Sequence, residues 1–123
     1  MSKISLHLDS EQEMIALAAD LARLAPARTC FLLAGDLGMG KTVFARAFVR
    51  TLAGDPDLAV TSPTFNLVLP YDTPQGIVRH FDLDRIKDPQ EMEELGLYEL
   101  SGTRATLIEW PERLAPADMA RLK

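Results

Sequence analysis

The chain has 123 residues, 47% hydrophobic and 25% charged, the length and composition of one globular domain over residues 1–123. No run approaches the roughly 18 apolar residues of a membrane helix, "MSKISLHLDSEQEM" lacks the order of a signal peptide, and one cysteine, Cys30, builds no disulfide framework. The net charge of −5 argues against strong autonomous binding to nucleic-acid phosphates, and the expectation is a cytoplasmic protein.

Ile4, Leu6 and Leu8 alternate with Ser5, His7 and Asp9, the period-2 signature of a short strand. Asp9 or Ser10 then offers a helix cap, and Met14, Leu17, Leu21 and Leu24 recur at helical spacing up to Pro26. Residues 30–34 form a compact apolar run stopped by Gly35, which predicts a buried, parallel strand. "KTVFARAFVRTLAG" places Val43, Phe44, Ala47, Phe48 and Leu52 on one face of a helix that Gly54 terminates. Two apolar runs, residues 67–69 and 77–81, flank the turn formers of "YDTPQG" and predict a hairpin. "DPQEMEELGL" is a short helix capped by Asp88, with Pro89 at its first position and Gly96 at its close. "RATLIEW" carries a second buried strand ending at Glu109. This alternation predicts an α/β fold, its sheet mixed and partly parallel with a β-hairpin inside it.

Residues 35–42, "GDLGMGKT", match the phosphate-loop pattern G-x-x-x-x-G-K-[ST] in full, between a predicted strand and a predicted helix. Gly35, Gly38 and Gly40 let successive N–H groups converge on one anion, and the helix N-terminus adds a positive dipole end. Lys41 is placed to reach the β- and γ-phosphates of a nucleotide, and Thr42 offers a hydroxyl to Mg²⁺. Two strand-end acids, Asp82 and Glu109, are candidates for the metal side of such a site, because ligands of open α/β sheets gather beyond the carboxyl ends of strands. The shorter aspartate suits Mg²⁺ ligation and the glutamate suits polarising the attacking water. Thr64, in "TSPTFN", is either a nucleotide-sensing switch residue or part of a tight turn stiffened by Pro63. Trp110 is either stacked near the site or an ordinary core aromatic. His80 and Cys30 read as structural residues.

"LAGDLGMGKT", "SPTFNL", "HFDLDR", "DPQEMEELGL" and "LIEWPERL" occur in an order and spacing that resembles the bacterial TsaE family, formerly called YjeE. These are the ATPases of tRNA threonylcarbamoyladenosine biosynthesis. The resemblance runs from about Leu8 to Leu114. It implies that Leu37, Gly38, Met39, Gly40, Lys41 and Thr42 wrap the ATP phosphates and that Thr42, Asp82 and Glu109 serve Mg²⁺. It also places Thr64, Trp110 and Glu11 at the nucleotide, and implies TsaD and TsaB as partners, with tRNA met indirectly through their complex. Two departures stand out. Asp84 replaces the tyrosine of the usual "HFDLYR", and the family pattern continues beyond "LP" into further strands, so the expectation is either a sheet without its last strands or a truncated chain.

The expected activity is therefore hydrolysis of ATP, with Lys41, Asp82 and Glu109 in the catalytic roles. Arg85 is the nearest arginine by sequence for charge stabilisation, and without a clearly placed arginine finger turnover is expected to be weak until partners complete the site. Two alternatives remain open at this point: a small-molecule kinase using Asp82 and Asp84 on its acceptor, and a binding switch that senses ATP without hydrolysing it. A guanine-reading N-K-x-D motif is absent, which favours ATP over GTP.

Overall fold

The computed structural model describes residues 10–33, 38–61, 63 and 67–122. The strand expected at residues 4–8 lies outside them. Helix α1 (Glu11–Leu24) is followed by β1 (Thr29–Leu33), α2 (Gly38–Ala53), the hairpin β2 (Val68–Thr73) and β3 (Gly76–Asp82), α3 (Pro89–Glu94), β4 (Thr103–Glu109) and α4 (Pro116–Ala120). Among the described residues the strands form one sheet in the order β1-β4-β3-β2. β1 and β3 both run parallel to β4, and β2 runs antiparallel to β3. The parallel pairings need crossovers, and α2 with the hairpin supplies the long one.

Local signals explain most of the boundaries. Ser10, not Asp9, caps α1: its Oγ accepts from the Glu13 N–H at 3.1 Å, and Glu11 and Glu13 favour the positive end of the dipole. Asp88 caps α3 through the Gln90 N–H, with Pro89 in the first turn. Gly54 (φ 68°) and Gly96 (φ 75°) follow α2 and α3 in the left-handed conformation that ends helices.

Two apolar clusters cover the two faces of the sheet. On one, Ala18 and Ala22 of α1 and Phe44, Ala45, Phe48, Val49 and Leu52 of α2 pack on Val78, Ala105 and Leu107. Phe31 packs edge-on to Phe48 with centroids 5.0 Å apart. On the other, Phe81 and Ile108 meet Met92, Leu97, Leu114 and Leu122. Arg79 fastens this second layer by donating to the Gly96 and Leu97 carbonyls.

Three expectations need correction. Leu24 is 80% exposed, because the α1 surface facing α2 is made by the small residues Ala18 and Ala22, which let the two helices approach closely. β1 is half-buried throughout, not buried, since it pairs with β4 alone among the described residues. α2 opens at Gly38, inside the glycine-rich motif and ahead of Lys41.

Candidate functional site

The register brings the ends of the three parallel strands together: Leu33 lies opposite Glu109, and Glu109 lies opposite Asp82. Side chains alternate along strands. Val78, His80 and Asp82 therefore share the α2 face of the sheet with Ala105, Leu107 and Glu109. The two strand-end acids stand side by side on that face.

Lys41, the fourth residue of α2, is 5% exposed, and its Nζ has no hydrogen-bond partner among the described residues. It rests over the Trp110 ring, 4.1 Å from the centroid. A desolvated cation–π contact contributes about 2 kcal/mol, less than the several kcal/mol of burying an ammonium. An anion would offset the remainder. α2 differs from α1 and α3 in having no acid in its first turn, so no side-chain carboxylate there competes for the amides at its N-terminus.

Trp110 holds its place under strain. It adopts a left-handed conformation (φ 61°, ψ 51°), which costs a non-glycine residue roughly 1–2 kcal/mol, and Pro111 follows it. The Arg113 N–H donates to its carbonyl, and the Leu83 N–H donates to that of Glu109, which locks the segment against the end of β3. This turn aims the indole back at Lys41.

Glu109 is 4% exposed and His80 is fully buried; His80 Nε2 lies 2.6 Å from Glu109 Oε2. Asp82 is half-buried, and its Oδ1 accepts from the Asp84 backbone N–H at 3.0 Å. Burial raises the Asp82 carboxyl above its ordinary 3.8, helped by the negative Glu109 and Asp84, and opposed by the Asp84 amide and His80. The folded state thus holds this proton more tightly than the unfolded chain, so Asp82 lowers stability as pH rises from 3.8 through its raised value. Asp82→Asn is expected to raise the thermal midpoint at neutral pH and to flatten that fall; a midpoint scan from about pH 3.5 to 7.5 checks both.

The structure thus gathers Lys41, Asp82, Glu109 and Trp110, with Gly38, Met39, Gly40 and Thr42 in the first turns of α2. Leu37 and Thr64 lie outside the described residues, although Pro63 beside Thr64 is buried. Glu11 lies in a groove of about 310 Å³ shared with Ile15, Val43 and Arg46. Gly38 and Gly40 are helical rather than left-handed, and among the described residues a Cβ on Gly40 would meet only Met14 Cε at 3.7 Å. Glycine there suits close approach of a ligand to the helix rather than an unusual backbone. Asp84 lies 3.9 Å from Arg113. His80 is the functional candidate that sequence reasoning misses. The available signal is its phase: two residues before Asp82, it faces the same way.

A mixed three-layer α/β domain, with a helix opening shortly after an outer parallel strand and two acids ending the neighbouring strands, is P-loop NTPase-like. Residues 8–123 match the family described as "Threonylcarbamoyl adenosine biosynthesis protein TsaE", and the chain belongs to that family. It is 43% identical over 105 residues to the tRNA threonylcarbamoyladenosine biosynthesis protein TsaE of Rickettsia bellii, covering 85% of this chain and 72% of the relative. The protein of that name from Rickettsia felis is 41% identical over 107 residues, 87% of this chain and 62% of its own length. The one from Aquifex aeolicus is 38% identical over 112 residues, covering 91% and 80%. The crystal structure of Bacillus subtilis YdiB superposes with a TM-score of 0.61 at 26% identity, covering 85% of this chain and 62% of YdiB. The chain therefore spans about three-fifths of the Rickettsia felis relative and of YdiB.

Proposed function

We propose that the protein binds ATP with Mg²⁺ and hydrolyses it as a cytoplasmic ATPase component of tRNA threonylcarbamoyladenosine biosynthesis, acting with TsaD and TsaB. The observation that carries this is the buried Lys41 ammonium near the start of α2, resting over the Trp110 ring without a hydrogen-bond partner among the described residues, with Trp110 directly following Glu109, which lies opposite Asp82 in the sheet.

In this proposal the amides of Gly38, Met39, Gly40, Lys41 and Thr42 bind phosphate oxygens, and Lys41 moves off Trp110 onto the β- and γ-phosphates. The resemblance adds Leu37, Thr64 and Glu11 to the nucleotide contacts. The donor set of one hydroxyl and two carboxylates (Thr42, Asp82, Glu109) suits Mg²⁺, which takes oxygen ligands and keeps water and phosphate oxygens for the rest. Mg²⁺, when bound, offsets charge on the phosphoryl oxygens. Glu109 orients the attacking water and accepts its proton.

Arg79 and Arg104 are engaged by backbone carbonyls that hold α3 and α1 respectively. Those two are thereby held to structural roles, and the proposal takes a charge-stabilising arginine from a partner protein, a finger worth about 10³–10⁵-fold in P-loop hydrolysis. The kinase alternative gains nothing from Asp84, which lies exposed beside Arg113. Phosphate release from ATP·Mg²⁺ tests the proposal. Slow release by the protein alone, rising at least about tenfold with TsaB, TsaD and tRNA, is the expected result. Phosphate appearing on a metabolite would overturn it, and so would binding without release under all conditions.

A further inference from the structure

We propose that His80 is the positioning residue for Glu109: its imidazole donates from Nε2 to one carboxylate oxygen and fixes the direction of the other. This rests on the ATP·Mg²⁺ site proposed above.

The two side chains come from neighbouring parallel strands, 29 residues apart in sequence, and both point to the α2 face. His80 is 0% exposed, and its Nδ1 has no hydrogen-bond partner among the described residues. That arrangement assigns the proton to Nε2. Glu109, ionised, is an acceptor only, so the 2.6 Å contact needs a donor on the histidine. The ring is therefore a fixed donor on the α2 side of the sheet, opposite Leu107 in the register.

The bond constrains a side chain that would otherwise be free to turn. Glutamate has three rotatable bonds, and its carboxylate must hold one direction to orient a water or a cation. Asp82 needs less help, being shorter and already tied to the Asp84 amide. Glu109 gains the equivalent restraint from His80. Groups that orient a metal-side ligand in this way are commonly worth about 10–100-fold in affinity or activity.

Three substitutions separate positioning from mere packing. Glutamine places its amide nitrogen near the position of Nε2; asparagine reaches only about as far as Nδ1; leucine fills the space with no donor. His80→Gln is expected to keep turnover within a few-fold of wild type. His80→Asn and His80→Leu are expected to lower kcat about 10–100-fold and to raise by a similar factor the Mg²⁺ concentration giving half the nucleotide-dependent change in Trp110 emission. Binding of ATP measured in EDTA is expected to stay unchanged in all three, because Lys41 and the α2 amides are untouched. If His80→Leu does not fold, the Gln–Asn comparison alone decides.

A folded His80→Asn with wild-type kcat and Mg²⁺ requirement would overturn the proposal. So would equal losses in His80→Gln and His80→Asn accompanied by weakened binding in EDTA, the signature of a packing defect. If the wild-type protein neither binds nor hydrolyses ATP, the underlying site assignment fails, and that failure is read in wild type before any variant is compared.

Discussion

Lys41→Met is expected to abolish nucleotide binding and, at the same time, to raise the thermal stability of the nucleotide-free protein. Both effects come from one atom. Nζ is buried without a hydrogen-bond partner among the described residues and is only partly compensated by the Trp110 ring at 4.1 Å. Methionine keeps an unbranched stem for the same channel and removes the charge. Relief of a buried ammonium should be worth about 1 kcal/mol or more after the lost cation–π contact is subtracted, a rise of several degrees in a domain of this size. Charge-assisted hydrogen bonds contribute about 1.5–3 kcal/mol each, so losing even one to a phosphate weakens binding roughly 10–150-fold. A variant that is more stable and cannot bind would mark Lys41 as a residue kept for its ligand at the expense of the fold. Calorimetry of the free protein and titration with ATP check the two halves separately.

The second large effect is expected at Glu109. Glu109→Gln keeps the shape of the side chain and still accepts from His80 Nε2, so the fold should be unaffected. It removes the proton acceptor, and turnover should fall about 10²–10⁴-fold, the usual worth of a general base. Binding of ATP in EDTA should hardly change. Glu109→Leu has the opposite balance for the fold: it leaves His80 Nε2 buried and unpartnered, which costs about 1–3 kcal/mol and should appear as a lower urea midpoint. Single-turnover phosphate release and equilibrium unfolding, run on both variants, separate the chemical role from the structural one.

How much of the fold and site is legible in the sequence depends on distance along the chain. The phosphate-loop pattern is contiguous, so Lys41 and Thr42 are recognisable from the residues alone. Hairpin and caps are also local: Asp88, Pro89 and Gly96 sit within a few residues of the helix they bound. The strand-end positions of Asp82 and Glu109 follow from where the apolar runs stop. Their adjacency does not, because it depends on β4 inserting between β1 and β3, a pairing that no local signal encodes. The His80–Glu109 contact is illegible for the same reason. Leu24 misleads because helical spacing marks a face without saying how far along the helix the neighbour extends. The turn at Pro111–Arg113 and helix α4 are too short for periodicity to show. Trp110 stands out as a candidate, yet its left-handed backbone is imposed by contacts around it and opposes its intrinsic preference.

The most direct test of the central claim uses Trp110, the only tryptophan in the chain, as its own reporter. Its ring carries the Lys41 ammonium in the nucleotide-free protein, and binding of phosphate at the head of α2 must draw that ammonium away. Titration with ATP·Mg²⁺ should therefore change the emission saturably in wild type and leave it unchanged in Lys41→Met. A wild-type emission indifferent to ATP·Mg²⁺, or an equal response in the two proteins, would contradict the account.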